Sequence, residues 1–160
     1  MKKFLSVILT VILTISVCSF AVNAQSAPQT KVISETVEYF EDGSSIITTV
    51  YENVSPKARA NKTVSGSKSR TAKNSSGEIL WKFTVNGTFS VNSGVSATCT
   101  SSSYSAGNFS GGWELKTATA SRSGNKAIAE GTLQQKILFV VTDTAQCRIT
   151  LQCDANGTLS

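Results

Sequence analysis

Between Ile79 and Val91 the chain alternates with a period of two, with Ile79, Trp81, Phe83, Val85, Phe89 and Val91 on an apolar side and Leu80, Lys82, Thr84, Asn86, Thr88 and Ser90 on a largely polar one. A period of two is that of a strand with one buried face, and it excludes an amphipathic helix over this stretch. Gly87 interrupts the run and marks a candidate bulge.

The same pattern continues downstream. Val95, Ala97 and Cys99 form one short apolar set, Trp113 and Leu115 another, followed by Ile128 and Leu133, Ile137 to Val141, and Cys147, Ile149 and Leu151. Turn-forming clusters separate them: Asn74-Ser75-Ser76-Gly77, Asn92-Ser93-Gly94, Ala106-Gly107-Asn108, Ser123-Gly124-Asn125 and Asp143-Thr144. Ser and Thr make up about a quarter of the chain, which suits strands with a hydroxyl-coated outer face. One-sided strands without helices bury their apolar faces by packing two antiparallel sheets together. The expected fold is therefore all-β, an antiparallel β-sandwich of roughly seven strands, with immunoglobulin-like topology as one variant.

Upstream, Val32 to Tyr51 reads as a β-hairpin around the turn Glu41-Asp42-Gly43-Ser44. Residues 55–67 then lose periodicity and become polar and basic, the character of a linker. At the start, Lys2 and Lys3 precede an apolar run from Phe4 to Val17, and Val22 and Ala24 offer small residues before a cut ahead of Gln25. That is the outline of a cleaved secretory signal, too short for a bilayer span. Cys18 follows Val17, whose branched side chain does not suit lipoprotein processing. The expected organisation is signal peptide 1–24, N-terminal hairpin segment 25–54, basic linker 55–67 and β-sandwich 68–160, secreted and without a transmembrane span in the mature protein.

Charge is unevenly placed. Glu35, Glu38, Glu41, Asp42 and Glu52 mark the hairpin, whereas Lys57, Arg59, Lys62, Lys68, Arg70 and Lys73 follow with no acid among them. Such a basic run suits an anionic polymer of the cell wall or lipid headgroups, or pairs with the acidic hairpin of its own chain. Nucleic acid is not expected as a partner, because no face interleaves basic with aromatic residues.

The chain has no histidine, which removes Ser-His-Asp and Cys-His catalysis and the commonest zinc ligand. Ser67-Lys68-Ser69 has no elbow or helix to position a nucleophile. A carboxylate-dependent hydrolase would draw on two of Glu78, Glu114, Glu130 and Asp154, brought within about 10 Å of each other. Gly111-Gly112 is too little for a phosphate cradle, and neither cofactor nor metal is expected. A non-catalytic binding module is the leading reading, and an inhibitor or toxin acting through the loop Ser105 to Gly112 is a further alternative. Trp81 lies in the apolar register and belongs to the core; Trp113, beside Tyr104 and Phe109, is either a core residue or part of a ligand-binding rim with them.

Cys99, Cys147 and Cys153 remain in the mature chain. Cys147 and Cys153 lie six residues apart in an alternating strand, about 20 Å between Cα atoms, so they cannot pair. Any bridge involves Cys99, and the alternative is three buried thiols packing as small hydrophobes.

The segment Asn74-Ser75-Ser76-Gly77-Glu78-Ile79-Leu80-Trp81-Lys82-Phe83-Thr84-Val85-Asn86-Gly87-Thr88-Phe89, the Ala97-Thr98-Cys99 run and the ending Leu151-Gln152-Cys153-Asp154-Ala155-Asn156-Gly157 resemble small exported proteins of Gram-positive Firmicutes, clostridia in particular. The resemblance covers Lys68 to the end. It implies bacterial export and a Cys99–Cys153 bridge with Cys147 left over, and it implies no catalytic residues.

Overall fold

The computed structural model describes residues 29–54 and 61–160, and the expected signal segment, Lys57 and Arg59 lie outside them. The described residues form eight strands: β1 (Gln29–Tyr39), β2 (Ser45–Val54), β3 (Asn61–Lys73), β4 (Ile79–Asn92), β5 (Ser96–Gly107), β6 (Trp113–Ser123), β7 (Lys126–Ile137) and β8 (Val140–Gln152). They make a five-stranded sheet, β1-β2-β3-β4-β5, and a three-stranded sheet, β6-β7-β8, antiparallel throughout. The all-β sandwich expected from the alternation is the fold found. Among the described residues no helix is long and apolar enough to cross a membrane.

Within each sheet every strand pairs with its neighbours in sequence, so the topology of each sheet is a plain meander. The immunoglobulin-like variant is thereby corrected, since that topology needs connections that cross from sheet to sheet between paired strands. Here a single crossover, the loop between β5 and β6, carries the chain from one sheet to the other.

β4 supplies the centre of the interior. Trp81, Phe83, Val85, Phe89 and Val91 are buried against Ala127, Ala129 and Leu133 of β7 and Cys147, Ile149 and Leu151 of β8. Small residues on β7 admit the large rings above them: a Cβ at Gly131 would lie 2.7 Å from the Phe83 ring. The bulge expected at Gly87 is not on β4: Gly87 pairs in register with Gly66 and Ser102, the extra residue is Thr100 of β5 opposite the Thr88–Phe89 step, and Gly87 instead gives room to the Phe89 ring and to Ala127.

Residues 61–67, expected as linker, are the first half of β3, which pairs with β2 on one side and β4 on the other. The hairpin β1–β2 is thus continuous with the sandwich sheet. β3 hides its strand character because the positions opposite Val91, Phe89, Gly87, Val85, Phe83 and Trp81 are Lys62, Val64, Gly66, Lys68, Arg70 and Ala72. Paired neighbours on both edges satisfy its backbone, so it needs little apolar content of its own. β1, at the open edge, is exposed along its whole length.

Candidate functional site

An up-and-down path places alternate connections at the same end of a sandwich. One end gathers the β1–β2 turn (40–44), the β3–β4 turn (74–78), the β5–β6 loop (108–112) and the β7–β8 turn (138–139). Hydrogen bonds fix each. In the first, the Phe40 amide donates to Ser44 O and the Gly43 amide to Phe40 O, both at 3.0 Å. The Asp42 carboxylate accepts from the Ser44 hydroxyl at 2.6 Å and the Ser44 amide at 2.9 Å, which together hold its pKa below the usual aspartate value. In the second, the Asn74 side-chain oxygen accepts from the amides of Glu78 and Ser76.

The β5–β6 loop is tied to both sheets. Ser110 donates its amide to Leu80 O at 3.0 Å and its hydroxyl to Ile79 O at 2.7 Å. From the other sheet, the Lys136 amide donates to Gly112 O at 2.9 Å and Gln135 Nε2 to Gly111 O at 2.7 Å. Phe109 therefore stands exposed on an anchored loop beside the base of the β7–β8 hairpin.

That hairpin differs most from expectation. The run Ile137 to Val141, read from sequence as a buried strand, is the tip where β7 ends and β8 begins, and Asp143-Thr144, read as a turn, lies inside β8. Ile137 pairs with Val140 across a two-residue loop in which Leu138 and Phe139 have φ of 49° and 70°. Positive φ at both positions defines the primed turn that matches strand twist, a place where Asn-Gly is favoured. Leu138 is 88% exposed and Phe139 97%. Tyr39, Phe40, Ile137, Val140 and Val141 are exposed at the same end. No turn-forming residue signals this tip, and the available clue was an apolar run standing between strands already long enough to span the sandwich.

Of the aromatic trio expected at a rim, Trp113 is half-buried over the core, its ring 6.2 Å from that of Trp81 at 56°. Tyr104 sits on β5 with its ring 6.0 Å from Phe83, and Phe109 projects from the loop. Trp113 and Phe109 thus reach the hairpin end, while Tyr104 lies three residues down β5 from it.

The basic run disperses along β3. Lys62 Nζ donates to Asn156 O at 2.8 Å, and Arg70 faces Glu38 of β1 at 3.8 Å, so part of the run does meet the acidic hairpin. Each of the four carboxylates is held by partners of its own. Glu114 is held by Lys136 and Gln134, each at 2.6 Å, and Glu130 pairs with Arg148 at 3.0 Å. Glu114 lies opposite Gln134, which places Glu130 about 13 Å away along β7. Glu78 belongs to the β3–β4 turn, and Asp154 accepts from the amides of Thr158 and Asn156 at the opposite end of the sandwich.

The three cysteines among the described residues, Cys99, Cys147 and Cys153, are buried free thiols, so the expected Cys99–Cys153 bridge is not formed in this structure. Burial pushes each thiol up, Cys153 to about 11. The Arg70 guanidinium next to Cys147 acts in the opposite direction there.

Compared with protein-family models, with curated proteins and with solved structures, the chain has no match.

Proposed function

We propose that the chain is an exported, non-catalytic interaction module that works at the bacterial cell envelope or outside the cell, with the hairpin end of the sandwich as its contact surface. The observation that carries this reading is the Leu138-Phe139 pair. Two large apolar residues occupy a turn that favours Asn-Gly and are almost wholly in water. They add nothing to the core and strain the backbone, so the reason for them lies outside the chain. The Met1-Lys2-Lys3 start with its apolar run supports export, and the absence of histidine supports binding rather than catalysis.

The loop carrying Phe109 shares this surface, so an inhibitor acting through residues Ser105 to Gly112 would use the same end. The test is fractionation of expressing cells combined with retention on washed envelopes. The processed protein, beginning at Gln25, is expected in the medium or the envelope fraction. Retention is expected to fall when Leu138→Asn and Phe139→Gly are combined. A cytosolic, unprocessed chain, or a variant retained as well as the parent, overturns the reading.

A further inference from the structure

We infer that the β7–β8 tip is a membrane-insertion finger whose partner is the hydrocarbon of a lipid bilayer, with no requirement for anionic lipid; this rests on the hairpin end being the contact surface. Between Lys136 and Asp143 the six residues Ile137-Leu138-Phe139-Val140-Val141-Thr142 carry no charge. The two flanking charges oppose each other in sign, and Lys136 is held at 2.6 Å by Glu114. The tip itself is uncharged, and Lys136, Asp143 and Glu114 around it give no excess of positive charge with which to select an anionic headgroup.

Its dimensions fit the interface of a bilayer. From Lys136 to Leu138 the hairpin rises about 7 Å, which matches the depth at which interfacial segments bury their apolar side chains. At that depth backbone groups must be paired. Ile137 pairs with Val140, and the Lys136 amide is taken by Gly112 O; the edge-facing peptide groups of Val141 stand level with Lys136, at the base of the inserted part, so beyond that level the turn carries the open backbone groups. Phe109, exposed on the loop that is hydrogen-bonded to Gln135 and Lys136, supplies an aromatic ring of the kind that favours the headgroup region.

The shape argues against a second copy as the occupant. The finger is convex and needs an apolar socket, whereas a shallow groove on the outer face of the three-stranded sheet is walled by Thr117, Thr119, Glu130, Thr132, Gln146 and Arg148. The grooves along β5 are likewise lined with hydroxyls, Arg122 and Lys82.

Flotation of the purified protein with vesicles tests the inference. Phosphatidylcholine vesicles are compared with vesicles containing phosphatidylglycerol, each at low and high salt. The parent is expected to float with both, at both salts, and the Leu138→Asn/Phe139→Gly variant to lose about a hundredfold in partitioning. Circular dichroism and thermal melting verify that the variant is folded. Flotation with phosphatidylglycerol vesicles alone, abolished by salt, overturns the inference in favour of the basic residues of β3. So does self-association in the ultracentrifuge that the variant abolishes without any flotation. Tip-dependent retention on washed envelopes with no flotation on vesicles overturns lipid as the partner but leaves the binding role standing, whereas loss of both removes that role as well.

Discussion

Cys99 on β5 and Cys153, just past the end of β8, hang from consecutive carbonyls of a single turn: the Cys99 amide donates to Gly124 O at 2.8 Å and the Cys153 amide to Asn125 O at 3.1 Å. Asn125 Nδ2 closes the arrangement on Cys153 O at 2.6 Å. Both side chains are buried, and each is near enough that a charge on Cys99 raises the pKa of Cys153. Mild oxidation by a disulfide-exchanging reagent is expected to remove two protons and two electrons and join these two sulfurs, leaving Cys147 a thiol. Peptide mapping without reductant reads the outcome directly. A bridge containing Cys147, or a protein that stays fully reduced, contradicts it. Closing the long loop between the two positions should stabilise the fold by up to about 4 kcal/mol on the chain-entropy account.

For the reduced protein the same site sets an alkaline limit. Burial, reinforced by the neighbouring Asp154 carboxylate, raises the Cys153 pKa from its ordinary value near 9 to about 11. The folded state therefore holds the thiol proton more tightly than the unfolded chain does. Stability from this group is complete below pH 9 and falls as pH rises through the folded value of about 11. Urea midpoints measured at about pH 8 and about pH 10.5 should differ, with the difference diminished in Cys153→Ala and in the oxidised protein. A midpoint independent of pH across that window would show that the thiol is not protected by burial.

How much of this was legible in the chain depends on which force fixes each element. β4 was readable because packing against β7 and β8 demands alternation from Trp81 to Val91, and the fold class followed from it. β3 was not, because its conformation comes from hydrogen bonding to strands on both sides rather than from its own burial pattern. The β7–β8 turn was hidden for a different reason. Leu138 and Phe139 are poor turn formers, and the pairing of Lys136 with Val141 and Ile137 with Val140 imposes the turn on them. Trp113 and Phe109 flank the β5–β6 loop while Tyr104 lies within β5, and the apolar tip beside that loop contains no residue type that flags a site.

Gly131 measures how tightly the sheets interlock. A methyl group at this position would meet Cζ of Phe83 at 2.7 Å, and Phe83 is fully buried. The ring cannot swing into solvent, so Gly131→Ala is expected to cost about 1–3 kcal/mol in chemical denaturation. Gly107→Ala is the companion measurement, because its Cβ would meet nothing within 4 Å. That change should be neutral or slightly stabilising through the unfolded chain. Equal effects at the two sites would mean that Phe83 has room to move.

The turn pair offers a prediction whose sign opposes the usual effect of removing large apolar residues. Leu138 and Phe139 occupy left-handed conformations that L-residues with a Cβ resist, at a cost of about 1–2 kcal/mol each. Asn-Gly adopts the same turn with little strain, and side chains this exposed forfeit almost no burial when truncated. Leu138→Asn combined with Phe139→Gly is therefore expected to raise the urea midpoint, by a stability gain of about 1–2 kcal/mol, in the isolated protein. A loss of stability would show instead that the pair packs on the rest of the chain, which would return the tip to the interior of the fold and deprive the contact surface of its central feature. A gain, with envelope retention lost in the same variant, means that the native sequence gives up stability at this turn for what the tip touches.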